Sequence, residues 1–287
     1  MDSTNHAFFA PCPRGLEAVL ADELTDLGAA DVKPTAGGVA FHGPLALCYR
    51  VNLQSRIASR ILLRIAEGSY RDEHDVYDAA NAIRWQDWFT PQQRIKVKVS
   101  AHHCPLKSLD FVTLRVKDAV CDRFQFARGK RPTVDTHAPD ILIAVYLDAS
   151  TCTFYVDTSG EPLFKRGWRK SAGEAPIREN LAAGILRLSK WTADTVLYDP
   201  MCGSGTFVIE AALMARRVAP GIGRHFAFEK LLSFDAQRLN DLRTELKAME
   251  IPIKPGLIHA ADDNAHAMTS IKANLTIAGS GDAVTLQ

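Results

Sequence analysis

The stretch LYDPMCGSGTFVIEAA, residues 197–212, decides how the second half of this chain is read. Its first residues are apolar and end in an acid, as a short strand does. A glycine turn follows, and TFVIEAA then opens a helix. Gly203 and Gly205 allow positive φ and let backbone come close to a ligand. The helix start behind them offers N–H groups with no partner inside the helix.

Several nucleotide turns have this outline, and their spacings separate them. No Lys follows GSGT, so this is not a phosphate-binding P-loop. A dinucleotide turn needs a third glycine where Val208 stands, and an acid about 20 residues on. Here the next acids at a strand end are Asp262 and Asp263, beyond an inserted helix. An acid in that place can accept from two ribose hydroxyls. With Asp199 at the end of the first strand, the set suits an adenosine ligand with a charged tail. S-adenosylmethionine is such a ligand.

Around the turn the pattern is that of an α/β domain. TVLYDP reads as a buried strand, GLIHAADDN as a second strand ending in acids, AHAMTSIKANLTIAG as a helix and AVTLQ as a third strand. The insert APGIGRHFAFEKLLSFD precedes a further helix. Upstream the chain is α+β. AFFAPC reads as a strand, and a helix from Gly15 puts Leu16, Val19, Leu20, Leu24 and Leu27 on one face. Gly37 and Gly38 turn the chain into VAFHG. DVYDAANAIRWQDWF reads as one helix. RIKVKVSAH alternates strictly, with Ile95, Val97 and Val99 opposite Lys96 and Lys98. LDFVTLRVKDAVCDRFQFARG is a long helix, and DILIAVYLDAS with TCTFYVDTSG is a hairpin. In the junction SGEPLFKRGWRKSAGEAPIRENLAAGILRLSKW, Pro176 is expected at a helix start.

The 287 residues are 47% hydrophobic and 23% charged, an ordinary globular composition that suits two or three domains. No apolar run is long enough to span a bilayer, and MDSTNHAFFAPCPRG lacks a signal-peptide pattern. A cytoplasmic protein is expected. Cys12, Cys48, Cys104, Cys121, Cys152 and Cys202 form no CxxC pair. His102, His103 and Cys104 are adjacent, and neighbours on one segment seldom converge on one ion; no metal is expected. Trp85, Trp88 and Trp168 suit core or interdomain packing more than base stacking.

The formal net charge of +1 hides an uneven distribution. Between Arg94 and Arg131 ten basic residues stand against three acids, a local charge of +7 that leaves −6 on the rest. Such asymmetry is the footprint of a polyanion binder. The candidate contacts are Lys96, Lys98, Lys107, Arg115, Lys117, Arg123, Arg128, Lys130 and Arg131, joined by Arg166 and Arg169 of the junction.

DPMCGSGTFVIEAA resembles the first methyltransferase motif of class I S-adenosylmethionine-dependent RNA methyltransferases that carry a THUMP domain. FFAPCPRGLEAVLADEL is similar to the start of their ferredoxin-like domain. The block from Tyr70 to Thr158, with RPTVDTHAPDILIAVYLD, resembles THUMP. The junction, FAFEKLLSFD and ADDNAHAMTSIKANLTIAG continue the match over nearly the whole chain. The nearest branch is the large-subunit ribosomal RNA guanine-N2-methyltransferases. The resemblance implies a ferredoxin-like domain over 1–69, THUMP over 70–158, a linker and helix over 159–195, and the first part of a Rossmann-like methyltransferase domain over 196–287. It also implies that Asp199, Gly203, Ser204, Gly205 and Thr206 line the cofactor. Asp262 takes the ribose, with Asp263 and Asn264 beside it. The basic strand and helix of the THUMP-like block would grip RNA together.

The match has one gap. The family orients its base with an Asn/Asp-Pro-Pro-Tyr motif after the fourth strand, and this chain contains no Pro-Pro dipeptide. No catalytic residue is therefore assigned within 1–287. The expectation is that the natural chain continues, and that the first strand here lies at an edge with its apolar faces uncovered. A non-catalytic RNA-binding module and an adenine-N6 DNA methylase are the competing readings. A THUMP-bearing sulfurtransferase would need an SGGxDS-type loop, which is absent.

Overall fold

A computed structural model describes residues 5–170 and 176–287. Part of the junction, residues 171–175, lies outside them.

The first half builds β1 (His6–Pro11), α1 (Glu17–Asp26), β2 (Ala30–Thr35), β3 (Gly38–Gly43), α2 (Leu47–Gln54) and β4 (Leu62–Ser69). It continues with α3 (Glu73–Ala82), β5 (Ile95–Ala101), α4 (Leu109–Arg128), β6 (Ile141–Leu147) and β7 (Thr151–Asp157). Side-chain caps fix the helix starts. Asp72 accepts the His74 and Asp75 N–H groups, and Ser108 accepts that of Phe111. Gly129, at φ +67°, ends α4.

The two units expected here share one seven-stranded sheet, in the order β2-β3-β1-β4-β7-β6-β5. The seam is β4 against β7, paired from Leu62 with Asp157 to Ser69 with Thr151. One face is core, where Phe8, Phe41, Leu63, Ile143, Phe154 and Val156 are buried with residues of the helices. β2 was not legible in the sequence. It is an edge strand with five of six residues exposed and Pro34 within it, so it has no buried face to impose alternation. The single helix expected through Phe89 breaks after Ala82 instead. A 3-10 turn over Trp85–Asp87 drops Trp85 into the core, where its indole N–H donates to the Ala80 carbonyl at 2.8 Å.

The second half builds α5 (Glu179–Leu188), β8 (Leu197–Asp199), α6 (Thr206–Ala215), α7 (Ala236–Ala248), β9 (Ile258–Ala260), α8 (Ala265–Ile277) and β10 (Val284–Leu286). Its strands are parallel in the order β10-β9-β8. β8 lies at the sheet edge with apolar residues uncovered, as expected of the first strand: Tyr198 is 53% exposed, and Val196 just before it is exposed too. The helix α5 starts at Glu179, three residues after Pro176.

The insert after α6 leaves its own domain. Phe226, Phe228 and Leu231, with Leu239, Leu242 and Leu246 of α7, belong to the core of the first half. Tyr49 and Phe228 stack with centroids 4.4 Å apart. Backbone hydrogen bonds tie Gly221 to Leu53, Phe228 to Thr158 and Leu232 to Trp88, each at 2.9 Å. A Cβ on Gly221 would come within 2.7 Å of the Asn52 carbonyl, so this contact needs glycine.

Beneath the insert lies a buried ion cluster. Glu210 of α6 faces Arg56 Nη1 at 3.6 Å and accepts from Arg166 Nε at 3.3 Å. Arg56 donates to the carbonyls of Leu213 and Val218, and Arg166 to those of Leu163 and Arg56. Burial pulls the Arg56 guanidinium down to about 10, against the opposing attraction of Glu210. Removing one member of a buried ion cluster strands the others. Glu210→Gln is therefore expected to lower unfolding free energy by about 3–5 kcal/mol in urea titration; an unchanged midpoint would show that the arginines need no countercharge.

Candidate functional site

The glycine turn sits between β8 and α6, against the end of β9. The Cys202 N–H donates to the Ala261 carbonyl at 3.0 Å, and the Ala261 N–H to the Asp199 carbonyl at 2.9 Å. The two strand ends are thus stitched together. Asp262 then reaches across. One carboxylate oxygen accepts the Gly203 N–H at 2.8 Å, and the other accepts the Asn264 N–H at 2.9 Å. Asp199 accepts the Met201 N–H at 3.2 Å. Burial raises the Asp199 carboxyl above its ordinary value, and the Asp262 charge adds to the rise. Two half-buried carboxylates therefore meet at the turn, and a cationic group beside them would relieve their repulsion.

The two glycines differ in what surrounds them. Gly203 has φ +54°, and a Cβ there would meet nothing within 4 Å. Gly205 has φ +86°, and a Cβ there would lie 2.5 Å from Ile271 Cγ1. Gly203 leaves the turn open to a ligand, whereas Gly205 lets α8 close on it. Asn274 of α8 completes the closure by donating to the Ser204 carbonyl at 3.0 Å.

Ser204 and Thr206 are buried, and both hydroxyls accept from Arg169, at 3.0 and 2.9 Å. Arg169 also pairs with Glu179 at 2.8 Å, donates to the Ile177 carbonyl, and lies over the Trp168 ring at 5.0 Å. Trp168 is itself packed in the core of the second half. Arg169 was expected at RNA; it holds the turn instead. Arg166 was expected there too, and it is buried against Glu210. Both corrections have one cause: a linear count of charge does not see the acids that fold back onto it. Asn264 caps α8 with its side chain, and Asp263 is exposed beside it.

The remaining basic residues do not form one patch. In β5, Ile95 and Val97 pack into the core with Val112, Val116 and Phe124 of α4. Lys96 and Lys98 therefore stand on the opposite face of the sheet from α4. The expected joint grip by strand and helix is not what the fold builds. Lys107 precedes α4, Arg128 is its last residue, and Lys130 and Arg131 follow it. That helix is about 30 Å long. Acids also take up part of this charge. Lys117 pairs with Asp118, Arg131 with Asp122, and Arg94 with Asp135 and Asp140. Arg115 lies over Tyr77 at 4.3 Å, and Arg123 over Phe126 at 6.0 Å.

Comparison with known proteins identifies this arrangement. Residues 7–62 match the RlmL ferredoxin-like domain, 70–157 the THUMP domain, and 166–287 the RMKL-like methyltransferase domain. A Synechocystis protein provisionally named an RNA methyltransferase is 36% identical over 273 residues, which cover 95% of this chain and 71% of that protein. The chain belongs to the RMKL-like, THUMP-bearing RNA methyltransferases.

Other members are similar over less of their length. The ribosomal RNA large subunit methyltransferase K/L of Cellvibrio japonicus is 42% identical over 79% of this chain and 31% of its own length. That of Aeromonas salmonicida is 39% identical over 91% of this chain and 38% of its own. Among solved structures, a Listeria monocytogenes protein described as an N6-adenine-specific DNA methylase superposes with a TM-score of 0.89. It is 30% identical, over 99% of this chain and 74% of that one. SMU.472, provisionally described as a methyltransferase and complexed with SAH, superposes at 0.88 with 29% identity, over all of this chain and 76% of that one. No helix among the described residues is long and apolar enough to cross a membrane.

The contrast between the glycines predicts unequal substitutions. Gly203→Ala carries the cost of positive φ alone, about 1–2 kcal/mol. Gly205→Ala adds the collision with Ile271, so its thermal melt is expected to fall further. Equal melting temperatures would show that α8 yields freely.

Proposed function

We propose that this chain binds S-adenosylmethionine at the turn over residues 199–206 and serves transfer of its methyl group to a base amine of RNA. The finest reading is guanine N2 of 23S ribosomal RNA, which rests on resemblance to the large-subunit enzymes. The observation that carries the proposal is the meeting of Asp199 and Asp262 across an open glycine turn. The cofactor supplies an electrophilic methyl group on a sulfonium, so its reacting end is cationic. Asp199 would offer its carboxylate to that positive charge or to the cofactor's ammonium. Asp262 keeps acceptor capacity for ribose hydroxyls while it braces Gly203. The first turn of α6 offers N–H groups to the carboxylate of the tail. Arg169, through Ser204 and Thr206, keeps the turn in shape. When bound, the cofactor would supply its methyl group from sulfur to the amine nitrogen, with SAH as the by-product and a proton given up by the amine.

The neighbour complexed with SAH supports the cofactor reading, since SAH is the demethylated product. The THUMP match over 70–157 favours RNA over the DNA in the Listeria protein's description. Lys96, Lys98, Lys107, Arg115, Lys117, Arg123, Arg128, Lys130 and Arg131 are the candidate phosphate contacts, and Arg166 and Arg169 are withdrawn from that role.

Calorimetric titration with SAH tests the cofactor site. Binding is expected for the chain and lost in Asp262→Ala; equal heats in both would remove the site from residues 199–206. Structured RNA is expected to outcompete duplex DNA at matched salt, and the reverse order would overturn the RNA reading. Lys96→Glu combined with Lys98→Glu is expected to weaken RNA binding and to lower its salt slope by about two. An unchanged slope would mean that these lysines face only water.

A further inference from the structure

The uncovered face of the seven-stranded sheet carries a groove of about 600 Å³. It crosses the seam between the ferredoxin-like and THUMP units. Phe9 of β1, Leu62 of β4, Tyr155 of β7 and Tyr146 of β6 form its floor, and Arg60 and Lys98 stand in its lining. The register sets these residues in a band. Phe9 pairs with Leu62, Tyr155 with Ala144, and Ala144 with Lys98. Four strand spacings separate Phe9 from Lys98, roughly 19 Å. Phe9 and Tyr155 lie with ring centroids 6.4 Å apart, and Tyr146 is 40% exposed.

These rings are on the wrong side of the sheet to be core. Their strand neighbours Phe8, Val145, Leu147, Phe154 and Val156 point the other way and are buried. The groove lining contains two cations and no acid. Arg60 is fixed by Asp157 and the Gly160 carbonyl, so it is a rigid rim rather than a mobile charge. The helix side of the same domain is arranged differently. Its exposed rings, Phe111 and Phe126, stand near opposite ends of α4 rather than side by side, and Lys117 and Arg131 there pair with acids, whereas Lys98 in the groove has no acid in the lining beside it.

We infer that this groove binds a single-stranded segment of the RNA substrate, with two or three bases laid on Phe9, Tyr155 and Tyr146 and a phosphate at Lys98. The inference rests on the RNA reading of the proposed function and names the surface that would carry it. Base faces are buried in an A-form duplex, so an aromatic floor favours unpaired nucleotides. Stacking on rings tolerates any base, and a flanking cation holds the backbone. A neutral peptide would need no cationic rim, and an acidic one no row of rings. The seam between β4 and β7 gives the groove its length, since neither unit alone spans it.

The test is fluorescence anisotropy of a labelled oligouridylate and of a labelled RNA hairpin on the full 287-residue chain, at fixed salt. Phe9→Ala with Tyr146→Ala is expected to weaken oligouridylate binding about thirtyfold or more. The salt slope should hold, because stacking releases no counterions. Tyr146→Phe keeps the ring and should keep the affinity. Lys98→Ala should lower the slope by about one. Circular dichroism melts show whether the ring variants fold. If they do not, ultraviolet crosslinking of the oligouridylate to the unaltered chain decides, with adducts expected on Phe9, Tyr146 or Tyr155.

Full affinity in the folded double variant, or crosslinks confined to α4, would overturn the groove while leaving RNA binding in place. Absence of binding to both RNAs would overturn the RNA reading as well. A dimer in sedimentation that the double variant dissolves, with RNA affinity intact, would make the face a protein interface and overturn the inference.

Discussion

A buried carboxylate holds this molecule together. Glu210 sits on the helix that follows the glycine turn, yet its partners are Arg56 from the ferredoxin-like unit and Arg166 from the junction. Such a cluster is strict about geometry, because any member left alone carries an uncompensated charge in a medium of low dielectric. The insert before α7 adds apolar weight at the same boundary, with Phe228 stacked on Tyr49. The turn and the sheet therefore do not hinge freely about the junction. The distance from the proposed cofactor site to any RNA held on the sheet is set by packing, as placing one base at one methyl group requires.

The turn itself is braced from three directions. Asp262 holds its backbone from β9, Asn274 from α8, and Arg169 its two hydroxyls from the junction. Preorganisation of this kind spares a bound ligand the cost of ordering the loop. Arg169 also places the junction in direct contact with the site. The junction thus links the sheet, the buried cluster and the turn within a few residues.

The charge of the chain acquires a different meaning once folded. A segment of +7 looks like one basic patch when written as a line. In space the sheet divides it, with Lys96 and Lys98 on one face and α4 on the other, and Lys117 and Arg131 meet acids of the segment itself while Arg94 meets Asp135 and Asp140 beyond it. What distinguishes the groove on the uncovered face is not the amount of charge but the setting of Lys98 beside an aromatic floor, with no acid among the lining residues.

The sequence by itself determined the kinds of element and the glycine turn. Strict alternation in β5 and the D-x-x-x-G-x-G spacing are local, and local rules suffice for them. It also determined the family, through blocks that occur in order along the chain. Only the tertiary structure decided that the first two units share a sheet, because a strand's partner across β4 and β7 leaves no mark on either strand alone. It decided likewise that β2 exists, since an exposed edge shows no period. The exchange of roles for Arg166 and Arg169 has the same origin. Whether an arginine serves a ligand or the fold depends on which carboxylate lies within a few ångström, and Glu210 and Glu179 are placed there only by packing.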